Sequence, residues 1–395
     1  MSAHNPTTTE GGETLIQAAR RIEASISAKH AADVDARACF PAESLEAFRG
    51  ARLLSAQLPV SMGGAALGMR ELGDIVSTIA EGCASSAMVL AMHYNQVACL
   101  VRHGLGEPLV AEFVKGLADQ QYLVASMTSE VGTCGDTRRS ICAVHVADGC
   151  FNLTKEATTG SYCNEADAIL VTARSNIDAA PSDQVLVLVL RDQRVLTQTT
   201  TWDTLGMRGT CSPGFRIESS GPEGQVLRVP FAEIAASSMV PYSHILWSAL
   251  WTGIASSAHR KAAAFIRQQA RQSLGTVPPG APSLAALHAD LQAMRNNWQS
   301  AAADFDRLVD EGGDPSQFAG MSWKLKMNNL KIACSEVAPR IVHGALQVIG
   351  VAAYRNDGPL SLGREYRDAL SGSLMISNAR INAASASMLL VTKEG

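Results

Sequence analysis

The sequence predicts an α+β protein in which a helical N-terminal domain, a middle antiparallel β-domain and a helical C-terminal domain follow one another. Three observations carry this. Apolar residues recur at spacings of three and four up to about residue 118 and again after Pro241. β-rich runs bounded by turn signals fill the interval from Gln121 to Ser237. No long helical crossover interrupts those runs, so antiparallel pairing is the expectation. A chain of 395 residues exceeds what one core organises, which fits three domains at 1–120, 121–237 and 238–395.

In the first domain Leu15, Ala18, Ala19 and Ile22 mark one helical face, and Leu72, Ile75, Val76, Ile79 and Ala80 another. The stretch from Leu58 to Gly68, LPVSMGGAALG, is a Pro/Gly loop between helices. Helices are expected from Met69 to Glu81 and from Ser85 to His103, the latter stopped by Gly104 and Gly106. The strand signals are YLVAS, ICAVHVA, CFNLT, AILVTAR and QVLVLVL, with ADGC and AAPSD as turns. In the third domain Leu287, Leu291, Met294, Trp298, Phe305 and Leu308 form one apolar stripe. Further helices are expected from Trp323 to Ile349, kinked at Pro339, and from Ser371 to Val391.

With a net charge of -4 and no Lys/Arg block, nothing marks a nucleic-acid or anionic-membrane surface, and small-molecule partners are expected. No run approaches 18 apolar residues, and the polar opening MSAHNPTTTEGGETL has no signal-peptide pattern, so a cytoplasmic protein is expected. The nine cysteines are odd in number and never form C-x-x-C, and the nine histidines do not fall at metal-ligand spacing. Buried free thiols and no metal site follow.

Six strings carry chemistry. TSEVGTCGD (Thr128–Asp136) reads by itself as a Gly-rich turn at a strand end and LTKEATTGSYCNEAD (Leu153–Asp167) as a polar hairpin, both carrying small hydroxyls and free backbone amides. LGMRGTCSPGF (Leu205–Phe215) is a turn closing the β-domain. RQSLG (Arg271–Gly275) ends a helix on a cation suited to phosphate. QVIGVAAY (Gln347–Tyr354) offers a glycine for close backbone approach. The last is REYRDALSGSLMISN (Arg364–Asn378).

In this order and spacing the strings resemble the acyl-CoA dehydrogenase family over essentially the whole chain. The resemblance implies a C-terminal four-helix bundle, FAD as cofactor and a homotetramer or homodimer. It also implies an acyl-CoA or acyl-carrier-protein substrate, with an electron-transfer flavoprotein or another acceptor. Residue by residue, it places Thr128 and Ser129 at the flavin ring and Ser161 at its redox edge. Thr159 stands where the family has a Trp, and Gly135 where a Ser often helps hold the CoA. Arg271 falls at the position that reaches the pyrophosphate of a neighbouring subunit's FAD. Gln347 and Gly350 match dinucleotide contacts, while Val351 and Ala353 replace glycines there. Asn378 lies at the flavin side of the last string.

Counting from Arg364, Arg367, Asp368 and Ala369, the family's catalytic Glu falls on Ile376, which retains only the backbone N–H that polarises a carbonyl. The alternative Glu position, early in the bundle's first helix, falls on Ser243. The nearest replacement base is His244, and His93 is expected to line a helix interface. The function implied is dehydrogenation at the CH–CH bond of an acyl thioester with a missing or relocated base. The alternatives are a reduced-flavin-dependent monooxygenase on the same fold, for which no α-proton base is needed, and a non-catalytic flavin- or acyl-binding relative.

Overall fold

A computed structural model describes residues 13–272, 275–312 and 314–391. Ser273 and Leu274 of the RQSLG string and the polar first dozen residues lie outside the described residues.

Six helices open the chain: α1 (Leu15–Ile22), α2 (Ala28–Arg37), α3 (Ala42–Gly50), α4 (Met69–Gly82), α5 (Ala84–His103) and α6 (Pro108–Gln120). Thr14 and Gln17 start α1 with a reciprocal capping box, which satisfies two otherwise orphaned amides. Seven strands follow: β1 (Val124–Met127), β2 (His145–Ala147), β3 (Cys150–Ala157), β4 (Ala168–Arg174), β5 (Gln184–Leu190), β6 (Arg194–Gln198) and β7 (Phe215–Pro222). The helices then return as α7 (Phe231–Ile234), α8 (Val240–Gln272), α9 (Ala281–Asp310), α10 (Pro315–Ala319), α11 (Met321–Ile349), α12 (Val351–Tyr354), α13 (Gly363–Leu370) and α14 (Asn378–Leu389). Helix α8 packs on α9 and α11, and α14 on α11, which forms the C-terminal bundle.

The strands make two sheets, β1-β4-β5 and β2-β3-β7-β6. Their burial explains the two textures of the sequence. In β3 alternate residues are exposed, because one face of its sheet meets water. In β4 and β5 nearly every residue is buried. Val124, Leu170, Leu186 and Leu188 face a core shared with Val97, Leu100, Val114 and Leu117 of α5 and α6, whereas Ile169, Val171, Val187 and Val189 face the main core.

One pairing departs from the antiparallel expectation. β1 and β4 run parallel, in register from Val124↔Ala168 to Met127↔Val171. The crossover between them is built from a loop and the β2–β3 hairpin, which joins the other sheet, so a parallel pair arises without a crossover helix.

The last helix is also shorter than expected. Ser371–Ser373 form one tight turn, and α14 starts only at Asn378. Ile376 between them adopts φ +48°, a left-handed conformation that no helix can contain. Gly372 fits beneath Trp251, where a Cβ would lie 3.1 Å from the indole. The buried-thiol expectation holds for Cys83, Cys99, Cys142, Cys163 and Cys334 but not for Cys134 and Cys150, which are exposed on a loop and at a hairpin, or for the half-buried Cys39 and Cys211. Among the described residues no helix is long and apolar enough to cross a membrane, and no three potential metal ligands cluster.

Candidate flavin and substrate site

The first three hydroxyl-bearing strings meet in space. β1 ends at Met127, which delivers Thr128 and Ser129 to the rim of the middle domain. The Ser129 hydroxyl donates to the Thr159 carbonyl at 2.9 Å and accepts from the Thr159 N–H at 3.1 Å. Two residues on, Ser161 Oγ accepts from Ser212 Oγ at 2.8 Å, and Ser212 also pairs with Thr210 at 2.9 Å. The loop at 207–214 further clasps the 159–162 turn through Gly160 N–H to Pro213 O at 2.9 Å and Tyr162 N–H to Thr210 O at 2.9 Å. Sequence reading placed Ser129, Thr159 and Ser161 together but missed Ser212, the SPG serine that anchors Ser161.

Behind this wall the chain buries an ion pair. Glu130 accepts from the N–H groups of Ile141 and Cys142 at 3.1 and 2.6 Å and lies 3.5 Å from Lys155, whose ammonium donates to both oxygens of Thr172 at 2.8 Å. Both side chains are fully buried and every charge-bearing atom has a partner, so the acid in TSEVG is neutralised inside the domain.

The 131–140 loop carries three left-handed residues, Gly132, Cys134 and Gly135. Arg380 of α14 reaches across and donates to the carbonyls of Cys134 and Gly135, tying this loop to the bundle. Gly135 is needed here: with φ +77°, its added Cβ would also lie 3.2 Å from the Arg380 guanidinium. Between loop and bundle is a cleft of about 720 Å³ lined by Arg138, Val240, Trp323, Lys324, Met327 and Arg380, among others. The Trp323 indole N–H is buried there with no protein acceptor.

The LGMRG and RDA strings also join. Met207 N–H donates to Asp368 at 2.6 Å, and a Cβ on Gly206 would lie 2.2 Å from the Arg367 carbonyl. Burial raises the Asp368 carboxyl to about 6, partly opposed by that hydrogen bond and by Arg364.

In the turn between α13 and α14 Ile376 is 41% exposed, and its carbonyl accepts from the Lys331 ammonium at 2.8 Å. Lys331 is 0% exposed and also donates to Asn378 Oδ1 at 2.5 Å. Burial lowers its value to about 8. Asn378 in turn donates to Ser335 and Glu336 at 3.1 and 3.2 Å, so its side chain is committed within the protein. Lys331 went unnoticed in the sequence, although a lysine four residues after Met327 on an apolar helical face was the readable signal.

His244 is buried beside Trp247, ring centroids 6.2 Å apart. Its Nδ1–H donates to the Val240 carbonyl at 2.9 Å, which leaves Nε2 as an unprotonated acceptor with no partner. Burial, with the Lys331 charge adding, lowers its value to about 4. Ser243 only bonds back to Val240. His93 is a packing histidine: Nε2–H donates to Leu54 O at 2.7 Å and Nδ1 accepts from Val124 N–H at 3.1 Å, which joins α5 to β1. Arg271 and Gln347 are exposed on the bundle, and among the described residues no hydrogen bond links them or Gly350 to the hydroxyl wall. Gly350 has φ +77° with open space around its Cα.

A flavin suits this arrangement. The wall presents neutral hydroxyls and amides, and Glu130 behind it is paired with Lys155. Fold and site define a flavin-binding oxidoreductase of the helical, β, helical class. The chain belongs to the acyl-CoA dehydrogenase family: residues 9–121 match its N-terminal domain and residues 235–375 its C-terminal domain.

Among relatives, L-evernosamine nitrososynthase of Micromonospora sp. is 28% identical over 95% of this chain and 89% of its own. FMN-bound TdsC of Paenibacillus sp. A11-2, also described as a dibenzothiophene monooxygenase, superposes with a TM-score of 0.84 at 18% identity, covering 96% of this chain and 98% of its own. Butyryl-CoA dehydrogenase of Megasphaera elsdenii gives a TM-score of 0.82 at 18% identity, covering 95% and 97%.

Proposed function

We propose that the protein is a reduced-flavin-dependent monooxygenase acting on the nitrogen of an amino sugar, rather than a dehydrogenase of acyl thioesters. The observation that carries this reading is the reaction corner. By the resemblance of the sequence strings, Ile376 falls at the position of the family base and Ser243 at the alternative one. The ionisable groups nearby are the Lys331 cation, His244, which at about 4 is a weak base, and the Glu336 carboxylate, which is committed to the Asn378 amide at 3.2 Å and to the Lys331 charge. Losing a general base costs about 10² to 10⁴ in rate where an α-proton must be removed. Transfer of oxygen to an amine lone pair has no such requirement, and the nitrososynthase relative supports that chemistry.

When bound, reduced flavin supplies the electrons that activate dioxygen. In this reading Thr128, Ser129, Thr159 and Ser161 border the ring. The cleft beside Gly135 takes the substrate, with Arg138, Lys324 and Arg380 at its rim suited to an anionic carrier group. Arg271, Gln347 and Gly350 retain the assignment of contacts to a dinucleotide flavin of a neighbouring copy, in a homotetramer or homodimer in the cytoplasm. His244 Nε2 accepts a hydrogen bond from a bound group rather than removing a carbon-bound proton.

Two measurements test this. Anaerobic addition of butyryl-CoA to the oxidised flavoprotein should leave the flavin colour unchanged; bleaching would restore the dehydrogenase reading. Photoreduced FMN, ¹⁸O₂ and an amino sugar should give a product carrying one labelled oxygen on nitrogen. Reduced flavin consumed with only peroxide formed across a panel of amino sugars would reject the substrate class.

A further inference from the structure

The thiols of Cys39 and Cys211 belong to segments that the fold presses together. Cys39 follows the left-handed Ala38 that ends α2, and its N–H bonds to Val34 O. Cys211 is itself left-handed, with φ +44°, in the loop that holds Ser161 through Ser212. The two segments are fastened side by side: Arg208 donates to the Asp35 carbonyl at 2.8 Å, and a Cβ on Gly209 would lie 2.3 Å from Val34. Cys211 Sγ sits 3.6 Å from the Ala38 carbonyl oxygen, the atom that immediately precedes Cys39 in the chain. Standard peptide dimensions then put that sulfur within roughly 6.5 Å of Cys39 Cα. A disulfide needs an S–S bond of about 2.05 Å and a Cβ separation of about 3.5–4.5 Å, so closure takes rotation of the Cys39 side chain toward Cys211 and a short approach of the two segments. Both residues are half-buried, so small oxidants reach them. Burial pushes the Cys211 thiol up to about 11, with the Cys39 thiol the next contributor, which is independent support for their proximity.

We propose that Cys39 and Cys211 are a peroxide-responsive thiol pair that closes to a disulfide, tying the end of α2 to the loop behind Ser161. One thiol sulfur is oxidised by hydrogen peroxide to a sulfenic acid, releasing one water. The other sulfur displaces the sulfenic oxygen, which leaves as a second water, and the S–S bond forms. Two thiols thus lose two electrons and two protons, and one peroxide becomes two waters. Peroxide is the by-product whenever reduced flavin meets oxygen without transferring it to substrate, so the oxidant arises at this protein if the oxygenase reading holds. The thiol pair itself does not depend on that reading, because peroxide can be added directly. Cys134 and Cys150 are the more exposed thiols, but each is a single sulfur, one on the 131–140 loop and one at the start of β3.

The experiment treats the full-length protein with hydrogen peroxide, blocks free thiols, and maps peptides without reductant. A Cys39–Cys211 linked peptide is expected. The thermal midpoint should rise by about 5 °C, because the bond closes a loop spanning nearly half the chain, and should return on adding dithiothreitol. Cys39→Ser and Cys211→Ser should each abolish the linked peptide and the rise, while Cys134→Ser should preserve both. A linked peptide involving other cysteines, or oxidation of Cys39 and Cys211 only to unlinked acids, would overturn the pairing. An unchanged far-ultraviolet circular dichroism spectrum and a cooperative thermal transition in the two serine variants show that they are folded, so loss of the peptide there cannot be attributed to unfolding.

Discussion

The ammonium of Lys331 donates to the carbonyl of Ile376 at 2.8 Å, so a fully buried cation holds the left-handed turn between α13 and α14. Its value of about 8 lies below the usual lysine range. The unfolded chain therefore binds more protons between about pH 8 and 10, and stability rises with pH across that window. Lys331→Met should leave stability at pH 7 within about 1 kcal/mol, because relief of the buried charge offsets the unsatisfied Ile376 carbonyl. The gain between pH 8 and 10 should disappear in the variant, as read by urea denaturation.

The same contact governs attempts to restore a base. In Ile376→Glu the new carboxylate lies beside Lys331, which stabilises its ionised form and lowers its basicity. Butyryl-CoA should therefore fail to bleach the flavin of this variant. Bleaching at a rate matching a working dehydrogenase would show that the corner needed only the acid.

Ile376 itself is strained. A β-branched residue at φ +48° is a genuine outlier, and its side chain is too exposed to recover much by packing. Ile376→Asn should stabilise the protein by about 1 kcal/mol, since Asn tolerates the left-handed region. An unchanged or lower urea midpoint would show that the Ile side chain contributes more than its exposure suggests.

Three histidines make the protein acid-sensitive. His93 and His244 both fall to about 4 through burial, and protonating His93 at Nδ1 would set N–H against the Val124 N–H. Their stability contribution is full above about pH 6.5 and is lost as pH falls toward 4. Asp368, raised to about 6, acts oppositely: its contribution is present below about pH 4 and lost as pH rises through 6. His103 also falls to about 4, through burial and the Arg102 charge. Three histidines outweigh one aspartate, so the net loss from pH 7 to pH 5 should be about 4 kcal/mol. His93→Gln should remove roughly a third of the histidine contribution to that pH dependence.

Breaking the pair behind the flavin wall should be costly. Lys155→Met leaves Glu130 buried without its cation, 3.5 Å from where the ammonium was. A loss of about 3–5 kcal/mol is expected, with weakened FMN binding because Ser129 adjoins Glu130 in the same turn. FMN affinity unchanged alongside lost stability would separate the ion pair from the flavin wall.

The sequence by itself determined the order of helices, strands and helices, the position of most helix faces, and the family to which Arg364, Arg367, Asp368 and Ala369 belong. Periodicity and turn residues are local, so they are legible without a fold. It also read Ser129, Thr159 and Ser161 as hydroxyls of two neighbouring strings, and the Ser129–Thr159 hydrogen bonds bring those strings together. Only the tertiary structure decided that β1 pairs parallel to β4, that Ser212 anchors Ser161, and that Arg380 closes over Gly135. The left-handed turn at Ile376 and the burial of Lys331 beside it are of the same kind. Each depends on partners more than forty residues apart in the chain, and the energy of a buried charge or a strained turn is set by those partners rather than by its own neighbours in sequence.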